Sequence, residues 1–223
     1  MVLLAHFLPS WSFLGEEHVA ASEMDTVVGK VYDSQCLLTL YLRPFRFQLA
    51  FLLDNKGACE VKDTLNGLER SLGSEGYQTL FALMITDNEV DFSDHTALER
   101  FCVCEGERRS RLFYRDVRQS RQKPGCERNH VEIRKILPKD KNMSFDALSA
   151  ENCSLLMSHV NSEPRPSLES LSPIRMLKAS HKDLADRLLS YPGVKVIPID
   201  ELDLTVHLIN EAHLKRGDEP LVR

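Results

Sequence analysis

The chain has 223 residues, 43% of them hydrophobic and 27% charged, with a formal charge of −5. That length accommodates one well-buried domain plus an appendage, and no apolar stretch reaches the roughly 20 residues of a membrane span. The six cysteines (Cys36, Cys59, Cys102, Cys104, Cys126 and Cys153) form no paired CxxC elements, which points to buried, reduced thiols and away from zinc. The opening nine residues are apolar but lack a basic leader, and Pro9 and Glu16-Glu17 break the pattern of a signal peptide, so the expected location is cytoplasmic.

Residues 1–20 show no clear period and read as a linker remnant. Asp25 then precedes the β-branched pair Thr26-Val27 and the turn residue Gly29, as in a first strand entering a hairpin. Gly29 to Gln35 forms the turn, Cys36 to Leu42 a strongly apolar strand, and Arg46 to Leu53 a third strand after the break at Arg43-Pro44. These three strands are expected to make an antiparallel meander. Asp54-Asn55 offers a cap for a helix whose apolar residues, Ala58, Val61, Leu65, Leu68 and Leu72, recur at helical spacing until Gly73.

The run Phe81-Ala82-Leu83-Met84-Ile85 has no alternation and predicts a strand buried on both faces, which leaves the sheet at Thr86-Asp87-Asn88. Open α/β sheets place their chemistry at such strand ends. Asp94 caps a short helix through Phe101, Arg111 to Tyr114 is a fifth strand, and Arg115 to Gly125 is a polar, basic loop of the length that is commonly functional. From Arg108 to Lys135 ten basic residues stand against three acids, a local balance of +7 that suggests a phosphate-tracking surface.

A helix starts at Pro124-Gly125 and stops before Pro138. At 100° per residue Glu127, His130, Val131 and Arg134 share one face, beside an apolar stripe of Ile133, Ile136 and Leu137. Asp25, Asp87 and Glu127 therefore come from well-separated segments, and three such carboxylates suit Mg²⁺, with Mn²⁺ able to substitute. Each acid taken singly also has a structural reading: a strand-edge charge, a turn residue, and a first-turn acid favoured by the helix dipole. Beyond Pro138, Phe145 to Val160 suggests another helical segment before Pro164-Arg165-Pro166. The tail from residue 176 holds a helix from His181 to Tyr191, a Pro192-Gly193 turn, and segments Val194 to Ile199 and Val206 to Leu214.

Several motifs occur in order: Glu23-Met24-Asp25-Thr26-Val27-Val28-Gly29, Leu37-Leu38-Thr39-Leu40, Thr86-Asp87-Asn88, Phe113-Tyr114-Arg115-Asp116, Gln122 to His130, and Met157-Ser158-His159-Val160-Asn161 with Pro164-Arg165. Together they resemble the catalytic half of an insertion-sequence transposase of the IS-thirty type, within the retroviral-integrase (DDE) superfamily. The resemblance covers about residues 21–176. It implies an α/β, ribonuclease-H-like mixed sheet, three antiparallel strands and then parallel ones, flanked by helices. Residues 21–175 would form the integrase-type core and 176–223 a small C-terminal tail. It also implies an enzyme that cleaves and transfers DNA strands, with transposon ends and target DNA as partners and a homo-oligomer as the expected assembly.

In that reading Asp25, Asp87 and Glu127 are catalytic and hold the metal, while Asn88, Arg121, Lys123, Arg128, His130 and Arg134 serve DNA binding. Arg134 lies two helical turns after Glu127, where the superfamily often places a DNA-contacting cation. Its alternative is a pair with Glu127. His130 is read as orienting phosphate or a water of the metal, or as making a structural hydrogen bond, and Asn88 as a DNA contact or a turn stabiliser. Family members carry a helix-turn-helix region ahead of the core, so this chain is expected to be amino-truncated. Three positions depart from the family pattern: Glu89 replaces a Gly, Asp91 a Glu, and Arg121 a Trp. A truncated, catalytically silent remnant that binds DNA or oligomerises, and a general nuclease on the same scaffold, are the competing expectations.

Overall fold

All seven residues of the strand Cys36–Leu42 (β2) are buried, because the strand has a neighbour on each side and cover above and below. A computed structural model describes residues 21–87, 89–103, 107–114, 124–139 and 143–221, and of residues 124–129 the backbone alone. The remaining strands are β1 (Ser22–Val28), β3 (Phe47–Leu53), β4 (Leu83–Thr86) and β5 (Arg111–Tyr114). They form one sheet in the order β3-β2-β1-β4-β5. The first three are antiparallel, and β1–β4 and β4–β5 are parallel, so the architecture is a mixed α/β sheet flanked by helices, as the sequence predicts.

The α-helices of the described residues are α1 (Ala58–Phe81), α2 (His95–Glu99), α3 (Pro124–Ile136), α4 (Ala150–Ser162), α5 (Pro173–Ser180), α6 (Lys182–Ser190) and α7 (His207–Arg216). Strand pleating sends alternate residues to opposite faces. Met24, Leu40 and Leu49 stand side by side in register, as do Asp25, Thr39 and Ala50 on the other face. The Tyr77 hydroxyl of α1 lies 3.9 Å from the Met84 sulfur, and His130 of α3 reaches Thr39, so α1 covers the first face and α3 the second.

Two boundaries differ from the sequence reading. The first long helix does not stop at Gly73: it kinks there, with φ 73° and ψ 160°, and resumes to Phe81. Glycine alone takes that φ without strain. The Leu72 carbonyl at the kink accepts a hydrogen bond of 2.6 Å from the Arg187 guanidinium of α6, and Tyr77, Leu80 and Phe81 restore a buried helical stripe. Phe81 therefore belongs to the helix, and β4 begins two residues later. The helix start is also later than Asp54-Asn55, with Gly57 at the N-cap, because Asp54 accepts from the Gln35 amide and Asn55 donates to Glu60. By contrast, Asp94 caps α2 as expected, accepting from the Ala97 amide at 3.0 Å.

The motif Met157 to Asn161 acts as a docking strip. Asn161 accepts from the Gln48 amide (2.8 Å) and donates to the Gln48 carbonyl (2.7 Å), supplying β3 with the partners that an edge strand lacks. Ser158 and Ser162, one turn apart, accept from the amides of Lys195 and Ile197, each at 2.9 Å. The expected Val194 to Ile199 segment is thereby an extended strap along α4, paired to side chains and not to a strand. Leu177, Leu184, Leu188 and Ile209 of the last three helices join the same hydrophobic core as the sheet.

His159 completes this strip. Its Nδ1 accepts from the Asp203 amide at 3.0 Å, which requires that nitrogen to be unprotonated. Burial lowers the imidazole pKa, opposed by the nearby Asp203 and Glu201 carboxylates. A lowered folded-state pKa gives stability that is present above the unfolded value of about 6.5 and lost as pH falls through the folded value. Thermal melting between pH 7.5 and 5 should therefore fall more steeply for the parent than for His159→Gln. Parallel profiles would remove His159 from the pH response.

Cys36 and Cys153 are buried, with burial pushing their thiols up to about 11 and about 12 respectively, so both are poor nucleophiles. Cys59 and Cys102 are exposed, unlike the buried thiols expected, and Cys104 and the Cys126 side chain lie outside the described residues. Among the described residues no helix is long and apolar enough to cross a membrane.

Candidate active site

Asp25 is placed by β1 and Asp87 by the end of β4. Those strands are parallel, with Ser22 opposite Met84 and Glu23 opposite Ile85. Continuing that register by two residues brings Asp25 opposite Asp87, on strands that pack about 5 Å apart. The Thr86 hydroxyl, donating to the Met24 carbonyl at 3.2 Å, ties the two strands at the intervening pair. Two acids distant in sequence thus adjoin at the carboxyl end of a parallel strand pair.

The Asp25 carboxylate accepts from the Thr26 amide at 2.9 Å through one oxygen, and its other oxygen lies 4.0 Å from Nδ1 of His130. Nε2 of His130 is 3.1 Å from the Thr39 hydroxyl, which is also 3.1 Å from the Asp25 carbonyl. Where the Thr39 proton goes to that carbonyl, Nε2–H of His130 donates to Thr39. Nδ1 in turn faces the Asp25 carboxylate. The structural hydrogen bond expected of His130 is present, and it turns the ring toward the acid.

In the sequence Thr39 looks like one more β-branched residue of an apolar strand and draws no functional reading. A polar side chain at a fully buried position needs a partner, and that was the available signal.

Glu127 lies on α3 one turn before His130, with its side chain outside the described residues. Asn88, Arg121 and Lys123 also lie outside them, and Arg128 is described only as a backbone position on α3. Among the described residues no three His, Cys, Asp or Glu side chains gather around one point as a metal site would require. The described part of the site supplies two oxygen donors, the ligand type a hard divalent cation takes.

Arg134 is half-buried at the far end of α3. It donates to the Val28 carbonyl at 2.8 Å and toward that of Leu137 at 3.4 Å, and its guanidinium lies 5.7 Å from the centre of the Phe145 ring. Burial lowers its pKa. Pinning α3 to the exit of β1 is a task the sequence reading gave it in neither of its alternatives.

The basic stretch from Arg108 to Lys135 is not a uniform phosphate-tracking surface. Arg109 is fully buried and cannot track phosphate: it binds Glu69 (3.1 Å), Asn66 (2.7 Å) and the carbonyls of Leu98 and Ala97. Its chemistry serves the fold because the connection into β5 wraps around it.

The chain leaving Asp87 is anchored on the opposite face of the sheet. Lys56 pairs with Glu89 at 2.8 Å and with Asp91 at 3.6 Å, and the Thr26 hydroxyl donates to Asp91 at 3.3 Å. Asp91 is nearly inaccessible, and burial raises its pKa against the lowering pull of Lys56. The Glu89 carboxylate is thus paired with an ammonium group that offsets its charge.

No protein-family model matches the sequence, and no curated protein does so significantly. The structure is similar to the crystal structure of the catalytic core domain of BIV integrase, with a TM-score of 0.51 and 14% sequence identity. The match covers 74% of this chain and 97% of that one. A likeness at that identity establishes the fold, an integrase-core-like mixed sheet.

Proposed function

We propose that this chain is a DNA transposase catalytic domain of the IS-thirty type, a DDE polynucleotidyl transferase that cleaves DNA and joins the released 3′ end to a target strand. The observation that carries the reading is the parallel register of β1 and β4, which continued by two residues brings Asp25, midway along β1, opposite Asp87 at the end of β4. The integrase-core-like fold supports it, and so does the motif order from Glu23 to Arg165.

Asp25 and Asp87, with Glu127 as third acid, would hold Mg²⁺, for which Mn²⁺ can substitute. The bound ion would lower the pKa of the attacking water or hydroxyl and stabilise the leaving 3′ oxygen. Thr39 holds the His130 ring so that Nδ1 faces the Asp25 side, where it can take a proton and, once protonated, orient a phosphate oxygen. Asn88, Arg121, Lys123 and Arg128 would contact the DNA backbone, with Arg134 acting through α3. Assembly as a homo-oligomer would bring two DNA ends together.

The test is incubation of the protein with supercoiled plasmid and an oligonucleotide bearing a free 3′ hydroxyl, with Mg²⁺, with Mn²⁺ and with chelator. Metal-dependent nicking together with covalent joining of the oligonucleotide is the expected result. Nicking without joining would make the chain a nuclease, and neither activity would refute the reading.

A further inference from the structure

We propose that the tip of the β1–β2 hairpin, Val31 and Tyr32, is a base-stacking contact for the DNA strand that passes the active site. The DNA partner is taken from the function proposed above. The contact itself is drawn from the construction of the hairpin.

Val31 is 92% exposed and Tyr32 is 96% exposed, adjacent to each other at the apex of a turn that is otherwise firmly held. The Asp33 carboxylate accepts from the Lys30 amide, the Ser144 hydroxyl and the Phe145 amide, each at 2.7 Å. Asp146, from the far side of the sequence, accepts from the Ser34 amide and hydroxyl (3.3 and 3.2 Å) and from the Gln35 amide at 2.8 Å. These amide and hydroxyl donors hold the Asp146 pKa below its usual value. Gly29 is required by the same construction, because a Cβ there would overlap an Asp33 oxygen and lie 2.8 Å from the Phe145 ring.

Two carboxylates are therefore committed to fixing a turn that buries neither of its apical side chains. A rigid mount that presents an aromatic ring to solvent is suited to recognition, since little ordering entropy remains to be lost on contact. The position favours nucleic acid. Beyond the pair Asp25 and Asp87, β4 has ended while β1 continues to Val28, so the hairpin overhangs the site. Three residues of strand carry β1 about 10 Å past the pair to Val28, and the apex at Val31 and Tyr32 lies beyond that, several base-pair rises of a DNA helix from the site. A ring there meets bases a few nucleotides from the reacting phosphate. Lys30, next to the apex, offers an ammonium group to a phosphate backbone, while the carboxylates of the turn, Asp33 and Asp146, stay turned to the donors that hold the hairpin.

The test uses a labelled duplex with a five-nucleotide 3′ overhang and full-length protein carrying Tyr32→Ala, Tyr32→Phe, or Tyr32→Trp with Trp11→Phe to leave one tryptophan. By anisotropy Tyr32→Ala should weaken binding about tenfold, within the range of base–aromatic stacking, and Tyr32→Phe should bind as the parent does. The single tryptophan should be quenched by DNA. Parent-like binding by Tyr32→Ala, or unchanged tryptophan emission, overturns the contact. A change in sedimentation without a change in DNA affinity also overturns it, because the tip would then face another protein chain. A Tyr32-dependent affinity in a protein that neither nicks nor joins DNA keeps the contact and refutes strand transfer. Cleavage with Tyr32-independent binding does the reverse.

Discussion

Asp87→Asn is expected to reduce metal-dependent nicking and joining by a factor of at least about 10²–10³, the scale for removing one preorganised group at a reacting centre. The substitution keeps the shape of the side chain and removes only its charge. The strand it terminates is held elsewhere, by pairing with β1 and β5 and by the Thr86 hydroxyl on the Met24 carbonyl. A second readout separates a ligand from a structural residue. A metal bound only by the folded state raises the melting temperature as its concentration rises above Kd. Mg²⁺ or Mn²⁺ should therefore stabilise the parent, and Asp87→Asn should lose that shift without losing its fold. Equal metal-induced shifts in the two proteins would show that Asp87 is no ligand.

The second large effect concerns stability. Arg109 and Glu69 are both inaccessible to solvent and 3.1 Å apart, and the Arg109 guanidinium also donates to Asn66 of α1 and to the carbonyls of Ala97 and Leu98. Glu69 in turn accepts from the amides of Cys102 and Val103, and the guanidinium lies 5.5 Å from the Tyr77 ring centre. Breaking such a pair from one side costs roughly 3–5 kcal/mol, because the remaining charge stays buried without its partner. Arg109→Met should thus lower the melting temperature by about 10 °C in a chain of this size. The double variant Glu69→Gln with Arg109→Met should recover part of the loss, since the glutamine oxygen still accepts from one of the two backbone amides and no charge remains. A loss below about 1 kcal/mol for Arg109→Met would refute this account.

The sheet was legible because its information is local. Cys36 to Leu42 is apolar but for Thr39 and the Tyr41 hydroxyl, and a strand with cover on both faces has that composition. Ile133, Ile136 and Leu137 are buried as their helical spacing predicts. Asp25 and Asp87 were nominated by their neighbours within their own strands, but their adjacency depends on a parallel register that no local pattern encodes. Long-range polar contacts were the least legible. Arg109 looks like any member of a basic run until Glu69, forty residues away, is found against it. Arg134 likewise carries no sign in the sequence that the Val28 carbonyl is its acceptor.

Asn161, by occupying the outward amide and carbonyl of Gln48, closes one border of the sheet to strand addition. An extended peptide, or the corresponding strand of a sister molecule, finds no continuous ladder of vacant groups along β3. Dimers built through backbone pairing would have to extend the opposite border, at β5. Association through helices, by contrast, leaves both borders as they are, so chemical crosslinking mapped to one side of the sheet or the other would tell the two assemblies apart.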